Sequence, residues 1–338
     1  MKKQILCLLT SLFLLFAFIC PKGGFAAEKP YFEGKVITIT VGYAAGTGYD
    51  LITRLVARHA PKYIPGKPTI IIDNIPGASS MIAANQVYKA KPDGLSLLST
   101  ARGIAFLQLL NAEGVRYDVR KFQWVGSASS EASVLLVRSD LPYKTYDEFK
   151  KANATKQFFF GGGGPASINS QNTKISIDYM KLNVKLVDYR STNEIWLAME
   201  RKELDGMWNA YNSSTQYMNR GLVRPLARTM ISQKGIEHLP VNIDLTDDPM
   251  GKTMMTMMGK TGMMARIWIA PPGTPAPVMK ILRDGFAQAL RDPELQAEAE
   301  KASLDLDYVS DEECIKLIDY MFTQPPDVMK VLSKYVKF

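Results

Sequence analysis

The residues best suited to bind a ligand follow the first strong strand pattern in the chain. Val36–Val41 is apolar and β-branched, which predicts a half-buried strand, and the small residues of segment 42–50 come next. Segment 51–57 then repeats apolar residues at helical spacing. A strand, a glycine turn and a helix start form an anion site, because backbone N–H groups and the helix dipole favour negative charge there. The same pattern is also typical of a turn that only begins a helix, so both interpretations stay open.

A second glycine turn lies near the middle of the chain. An aromatic strand pattern at 158–160 opens into four consecutive glycines, and Ser167 and Asn169 stand where a helix would begin. Successive backbone N–H groups in such a turn can form a concave anion site. A flexible linker is the alternative, but the apolar segments on both sides favour the anion site.

The chain offers little chemistry for catalysis. His59 and His238 are its two histidines, and their spacing does not suggest a metal pair. No serine stands in a G-x-S-x-G nucleophile elbow, and Gly46-Thr47-Gly48 lacks the third glycine of a dinucleotide fingerprint. The sequence therefore favours a binding protein without cofactor or metal. A secreted enzyme that acts on a small organic acid is the alternative.

Residues 1–26 predict a secretory signal peptide. Two lysines precede an apolar run at 5–20, and small residues follow it. The run is short for a membrane anchor, and a lipidated Cys20 is a less favoured alternative because no small residue precedes it. We therefore expect a mature protein in the periplasm whose one cysteine, Cys314, forms no internal disulfide.

Length and composition are those of a soluble globular protein. The 338 residues suffice for one large or two ordinary domains, with 46% hydrophobic and 22% charged residues. The net charge of +8 includes three lysines within the first 26 residues. The mild positive excess that remains suits an anionic small ligand, and it is too small and too dispersed to indicate nucleic-acid binding.

Three times in the first hundred residues, a strand pattern ends in small polar residues. The strands are predicted at 36–41, 68–73 and 95–99, and helix patterns follow the first two. This alternation predicts an α/β domain with a largely parallel sheet, in which ligands bind beyond the carboxyl ends of the strands. From residue 122 the pattern restarts, which indicates a second α/β unit.

The segment 249–264 holds seven methionines. Clustered methionine sulfurs can bind soft metals such as Cu(I). A helix that packs against the body of the protein through adaptable side chains is the favoured interpretation.

Four segments, in chain order, carry a family resemblance: ITITVGYAAGTGYDLITR, DNIPGASSMIAANQVYKAKPDG, GGGGPAS and APPGTPAPVMKILRDGFAQALRDPEL. They resemble the extracytoplasmic solute receptors of tripartite tricarboxylate transporters, the Bug-type receptors. The resemblance implies an α/β fold of the type II periplasmic-binding-protein kind, with a ligand cleft between two α/β domains. Domain 1 is expected at 28–125 and 231–338, and domain 2 at 126–230. It also implies a monomer that delivers its ligand to a large and a small membrane subunit; a sensor for a membrane signalling protein is an alternative.

The same resemblance implies that loops 43–49 and 161–170 grip a ligand carboxylate, with segment 187–189 beside them. We expect Arg190, or Arg102, to supply charge and Trp208 to help wall the pocket. The predicted ligand-binding residues are Tyr43, Ala45, Gly46, Thr47, Gly48, Tyr49, Thr100, Arg102, Gly162, Gly163, Gly164, Ala166, Ser167, Ser170, Tyr189, Arg190, Ser191 and Asn209.

Three positions depart from the family pattern. The first loop often begins with an aromatic–proline pair and here reads Tyr43-Ala44-Ala45. Ser170 replaces a frequent histidine, and the segment 190–194 replaces a glycine-rich tail. The fold is unaffected by these changes. They do alter the ligand loops, so the sequence predicts an organic anion, with a carboxylate favoured, and does not name the acid.

Overall fold

The computed structural model describes residues 29–164, 167–302 and 304–336, so the predicted signal peptide lies outside the described residues. The described residues form these strands: β1 (Val36–Val41), β2 (Thr69–Asn74), β3 (Ser96–Thr100), β4 (Gln123–Ser127), β5 (Ser133–Arg138), β6 (Phe158–Gly162), β7 (Val184–Asp188), β8 (Gly206–Ala210), β9 (Val223–Arg228), β10 (Ile267–Ala270) and β11 (Val309–Ser310). They also form these α-helices: α1 (Gly48–His59), α2 (Met81–Tyr88), α3 (Gly103–Leu109), α4 (Tyr146–Asn153), α5 (Ile168–Tyr179), α6 (Thr192–Glu200), α7 (Tyr211–Asn219), α8 (Pro249–Lys260), α9 (Ala276–Leu290), α10 (Pro293–Lys301), α11 (Asp311–Phe322) and α12 (Pro326–Tyr335). Within these ranges no helix is both long enough and apolar enough to span a bilayer.

The first sheet has the strand order β11-β4-β10-β3-β1-β2. As predicted, β1 pairs in parallel with β2 and β3. The prediction of a largely parallel sheet is wrong beyond these strands, because β10 runs antiparallel between β3 and β4. Ile267 at the start of β10 pairs with Thr100 at the end of β3. The antiparallel direction therefore brings the residue before β10 to the edge where the parallel strands end.

The second sheet has the strand order β7-β6-β8-β5-β9. Here β6 is parallel to β7 and β8, whereas β5 is antiparallel to β8 and β9. The strands of this sheet come from residues 133–228, and those of the first sheet come from 36–127 and 267–310. The chain therefore crosses between the sheets at 128–132 and again at 229–266. The domain boundaries at 126 and 230 stay a prediction.

Most of the methionine-rich segment forms α8, which packs against α5 and α12. Asp248 caps the helix by accepting a hydrogen bond from the Gly251 N–H (3.0 Å), and four of its methionine side chains are buried. They belong to one apolar core that also contains Leu98 of β3 and Trp208 of β8. The structure thus confirms the packing interpretation, in which flexible side chains fill the irregular space between two sheets.

Cys314 on α11 lies in the same core and is fully buried. Burial raises the pKa of the Cys314 thiol to about 12, and the thiolate is the reactive form of cysteine. In protein that lacks residues 1–26, we expect no reaction with Ellman's reagent at pH 8 while the fold is intact, and one thiol per chain in denaturant. Fast reaction of the native protein would contradict this burial.

Candidate functional site

The first glycine loop connects β1 to α1 at the edge of the first sheet. Gly42 follows β1, and its N–H donates to Ser99 O (3.0 Å). A Cβ atom at Gly42 would lie 1.7 Å from Ser80 Oγ, so only glycine lets these two segments approach so closely. The helix then begins at Gly48 with Thr47 at its N-cap. The strand, turn and helix predicted from the sequence are therefore present.

Asp50, which is 2% exposed, holds this loop in place. Its carboxylate accepts hydrogen bonds from the Gly46 N–H, Asn74 Nδ2 and Arg54 Nε, each at 2.9 Å. Asn74 Nδ2 also donates to Tyr43 O (3.1 Å). Burial alone would raise the pKa of Asp50, but the hydrogen bonds from Arg54, Gly46 and Asn74 outweigh burial and lower it. One predicted backbone donor, Gly46, is therefore already bonded to a carboxylate of the chain itself.

The second glycine loop follows β6 and shows the same arrangement. The Gly163 N–H donates to Ser167 Oγ (3.0 Å), and the Gly164 N–H donates to Asp188 Oδ1 (3.2 Å). Ser170 Oγ donates to the same Asp188 oxygen (2.8 Å). Ser167 caps α5, as the predicted helix start requires, and Ala166 lies outside the described residues. Side chains of the loop and of β7 thus occupy the N–H groups that were expected to hold a ligand.

A cavity of about 170 Å³ lies between the two sheets, next to the first glycine loop. The first sheet and its loops, helix α5 and the two crossing segments all contribute to its wall. The lining residues are Tyr43, Tyr49, Ser79, Ala101, Arg102, Gly103, Phe106, Glu131, Ile168, Gln171, Ala265 and Arg266. Two arginines against one carboxylate give this space a net positive lining, which suits an anion.

A larger, more open groove of about 680 Å³ lies between α7 and α10. Glu300 and Asp305 line it, and among its described lining residues there is no arginine or lysine. Asp305 also bonds across the groove to Asn212 Nδ2 (3.1 Å) and Gln233 Nε2 (2.9 Å). The acidic lining disfavours an anion, so we assign the ligand site to the smaller cavity.

Arg266 stands directly before β10 and is fixed through its backbone. Its N–H donates to Ser127 Oγ (3.3 Å), and its carbonyl accepts from the Ala128 N–H (2.7 Å). The guanidinium carbon lies 4.7 Å from the centre of the Tyr49 ring, and Nη1 lies 3.7 Å from Glu131 Oε2. Nε is buried and has no hydrogen-bond partner among the described residues. Nη1 also donates to Ala265 O (3.3 Å), so the positive charge of this side chain is paired only loosely with Glu131 in the cavity wall.

Two stacked tyrosines form the neighbouring wall. The rings of Tyr43 and Tyr49 lie 4.0 Å apart at an angle of 15°. Burial, together with the nearby Tyr49 hydroxyl, raises the pKa of Tyr43 far above its usual value. The Tyr43 phenol therefore stays protonated, and its hydroxyl can donate a hydrogen bond.

The turn before α2, at the same edge of the first sheet as the first glycine loop, is strained. Ala78, Ser79 and Ser80 have φ values of 45°, 52° and 74°, a left-handed conformation that costs side-chain-bearing residues about 1–2 kcal/mol each. Ser79 lines the cavity, and Ser80 Oγ accepts a hydrogen bond from Thr100 Oγ1 (2.8 Å). Such strain persists where the surroundings enforce it and is frequent at ligand sites.

Of the residues predicted in the first domain, Tyr43, Tyr49 and Arg102 line the cavity. Thr100 is fully buried beneath it and supports the strained turn. The remaining predicted positions lie in the first glycine loop, between the two tyrosines: Ala45, Gly46, Thr47 and Gly48. These predicted residues therefore lie on one side of the cavity, and their part in ligand binding stays a prediction.

The predicted residues of the second domain lie elsewhere. Asn209 is 5% exposed and bonds to Asn169, and Ser191 caps α6. Tyr189 lines a separate surface pocket beside α6. Arg190, the side chain first expected to bind the ligand, is exposed and does not line the cavity; its N–H donates to Glu194 (3.0 Å).

The expectation that Trp208 walls the pocket is wrong. Trp208 is 1% exposed, and its Nε1 donates to Ser176 Oγ (2.9 Å) beneath α5. Strand β8 lies inside the second sheet, and four of its five residues are buried, so a large aromatic side chain there belongs to the core.

Sequence reasoning missed Arg266 and Glu131, the two charged groups at the back of the cavity. Each stands just before an apolar strand, which is the one local signal that could have indicated them. The signal was weak, because charges often flank strands. Their meeting depends on the antiparallel entry of β10, which local patterns do not encode.

His59 belongs to a separate ionic cluster and is largely buried. Its ligand atoms lie within 4.8 Å of those of Asp292 and Glu294. Lys62 Nζ donates to both carboxylates at 2.8 Å and supplies the positive charge that a metal would bring. This cluster ties the end of α1 to the start of α10.

Two mixed α/β sheets with a positively lined cavity between them define a solute-binding protein of the two-domain, periplasmic-binding-protein class. A profile of the family described as "Tripartite tricarboxylate transporter family receptor" matches residues 52–332. The chain therefore belongs to this family of solute-binding receptors, as the sequence resemblance predicted.

Several relatives share much of its length. A UPF0065 protein from the TAR-I ttuE-ttuC' intergenic region of Agrobacterium vitis is 26% identical over 271 residues, which are 79% of this chain and 75% of that protein. A UPF0065 protein of Bordetella pertussis is 26% identical over 276 residues, with 79% and 80% coverage.

Solved structures share the fold at low sequence identity. A TctC solute-binding protein from Polaromonas, without ligand, matches with a TM-score of 0.74 at 19% identity over 89% of this chain and 99% of that one. MatC from Rhodopseudomonas palustris, with bound malate, matches with a TM-score of 0.61 at 19% identity over 88% of this chain and 100% of that one. An R. palustris protein with adipate matches with a TM-score of 0.64 at 19% identity over 89% of this chain and 98% of that one.

Proposed function

We propose that this receptor captures a small organic anion, with a carboxylate favoured, in the cavity between its two sheets. One observation carries the proposal: Arg102 and Arg266 line the cavity, and Glu131 is the single carboxylate among its lining residues, so the cavity wall carries a net positive charge. A guanidinium group matches a carboxylate because its planar donors can bind both oxygens. The malate and adipate bound to structures of the same fold support a carboxylic acid.

The proposed ligand contacts come from the cavity wall rather than from the glycine turns. Tyr43, Tyr49 and Arg102 contact the ligand from the first domain, and the loop 44–48 positions the two tyrosines. We retain the division into domain 1 at 28–125 and 231–338 and domain 2 at 126–230. Because α5 of domain 2 completes the wall through Ile168 and Gln171, closure of the two domains would enclose the ligand.

The family assignment supports the proposed location of the protein and its proposed membrane partners. We place the mature receptor in the periplasm, after removal of residues 1–26, as a monomer. It would deliver its ligand to the large and the small membrane subunit of a tripartite tricarboxylate transporter. The role is binding rather than turnover.

Thermal unfolding in the presence of organic acids tests this function. A true ligand at 100 times its Kd stabilises a protein by about 2.7 kcal/mol, which shifts Tm measurably. We expect Arg102→Gln to weaken binding of that acid at least tenfold, because a charge-assisted pair in the cavity is lost.

Arg190→Gln is the discriminating comparison, since Arg190 was the sequence-based choice but is exposed outside the cavity. We expect this variant to bind within twofold of the wild type. If Arg190→Gln loses binding and Arg102→Gln keeps it, the ligand lies elsewhere. If a broad set of organic acids leaves Tm unchanged, the proposed function is wrong.

A further inference from the structure

The two glycine turns have little capacity left for a ligand. Asp50 occupies the Gly46 N–H, Ser167 occupies the Gly163 N–H, and Asp188 occupies the Gly164 N–H. A ligand carboxylate would have to displace these oxygens, two of which belong to carboxylates. Because these three N–H groups are engaged within the protein, the charged side chains of the cavity wall are the stronger candidates for binding the anion.

Arg266 is the side chain with the most to gain from an anion. Its contact with Glu131 is loose, since Nη1 and Oε2 are 3.7 Å apart, beyond ordinary hydrogen-bond length. Its Nε is buried without a partner in the described part of the chain, and an unsatisfied buried donor of a charged group is costly. The Tyr49 ring packs against the guanidinium group, whose carbon lies 4.7 Å from the ring centre. A ligand carboxylate in the cavity would instead meet the terminal nitrogens of the guanidinium, where a charge-assisted hydrogen bond stabilises it.

Glu131 limits what else the ligand can carry. It stands in the cavity wall next to Arg266, and its position is fixed by a hydrogen bond from its own N–H to Gly262 O (3.0 Å). Its side chain is only 18% exposed, so solvent screens its charge weakly. A second ligand carboxylate in this small space would meet a like charge at short range.

The size and remaining walls of the cavity limit the ligand body. A cavity of about 150 Å³ is large enough for benzene, so the present volume of about 170 Å³ holds roughly one six-membered ring or a short chain. The stacked tyrosines, Phe106 and Ile168 present flat and apolar surface to it.

We propose that Arg266 binds the single carboxylate of a compact monocarboxylic acid, and that Glu131 excludes acids with a second carboxylate. This inference rests on the proposed function and deepens it by naming the class of ligand. Arg266 is the anion-binding side chain, and Glu131 determines specificity by repulsion.

Benzoate and terephthalate make a matched test, because both have one benzene ring and they differ by one carboxylate. We expect calorimetry on the mature wild-type protein to show benzoate binding at least tenfold tighter than terephthalate. Arg266→Gln should weaken benzoate at least thirtyfold, whereas the exposed Arg116→Gln should leave it unchanged. Glu131→Gln should reduce the ratio of benzoate affinity to terephthalate affinity at least fivefold, chiefly because terephthalate binds more tightly.

The outcomes separate this inference from the function on which it rests. If terephthalate, adipate or malate binds as tightly as the tightest monocarboxylate, the inference is wrong. The protein would still be a receptor for an organic acid. If the ratio of benzoate affinity to terephthalate affinity is unchanged in the Glu131→Gln variant, the proposed role of Glu131 is wrong. If Arg266→Gln does not fold, Arg266→Met, which also removes the charge, replaces it as the test variant. A benzoate affinity within threefold of the wild type then overturns the role of Arg266. Failure of every acid to bind rejects the proposed function itself.

Discussion

Replacing Gly42 with alanine is expected to destabilise the protein by about 3 kcal/mol, the upper end of the usual cost of forcing extra volume into a packed site. The added Cβ would lie 1.7 Å from Ser80 Oγ and 2.5 Å from Ser80 Cβ, so one of the two backbones must move. The Gly42 N–H is also bonded to Ser99, which ties this point to β3. Chemical unfolding followed by circular dichroism measures the loss.

A matched control and a rescue make the steric cause testable. Gly48→Ala introduces a Cβ at 3.5 Å from the Arg266 side chain, an ordinary contact, at the start of a helix that tolerates alanine. We expect it to retain wild-type stability. Ser80→Gly removes both clashing atoms and suits the φ of 74° at that position. The double variant Gly42→Ala/Ser80→Gly should therefore be more stable than Gly42→Ala alone; equal stability would contradict the steric explanation.

Replacing Asp50 with alanine is expected to cost about 2–3 kcal/mol and to loosen the first glycine loop. The change leaves the Gly46 N–H, Arg54 and Asn74 without their shared acceptor. The cost stays below the 3–5 kcal/mol typical of a fully buried broken pair because Arg54 is 44% exposed. Unfolding free energies at pH 7 test it, and a loss below about 1 kcal/mol would contradict the network.

The pH dependence gives an independent test through Asp50→Asn. The folded-state pKa of Asp50 is lowered, so its contribution is fully present above the unfolded pKa of about 3.9. It is lost as the pH falls through the lower folded-state value, because protonation removes the acceptor. The wild type should therefore lose more stability on acidification below about pH 4 than the Asn variant does. Parallel acid profiles would show that Asp50 does not contribute.

The sequence predicted those parts of the fold that depend on neighbouring residues. The bounds of β1 match the prediction, since its β-branched run ends at Val41 beside a glycine. The start of α5 after Ser167 was indicated by a capping residue. Strand, turn and cap are local, and each leaves a local pattern.

Contacts between distant segments were not predictable in this way. Asp188 bonds to Gly164 across the β6–β7 pair, so a turn that looks open in sequence is partly occupied in the structure. Arg266 reaches the cavity because β10 enters the first sheet antiparallel, whereas Arg190 ends on the surface. An arginine that lines the cavity and one that lies on the surface look the same in the sequence. Only the pairing of strands decides which of them faces the ligand.

The position of β10 also sets the order in which the chain can fold. This strand lies between β3 and β4, yet it is synthesised after every strand of the second sheet. Until β10 is synthesised, no strand links β3 to β4, and the first sheet stays incomplete. Folding governed by such distant pairing is slow, because long loops must close before contacts compensate for them. The ribosome must therefore extend the chain past residue 270 before β10 can join β3 to β4 and complete the first sheet.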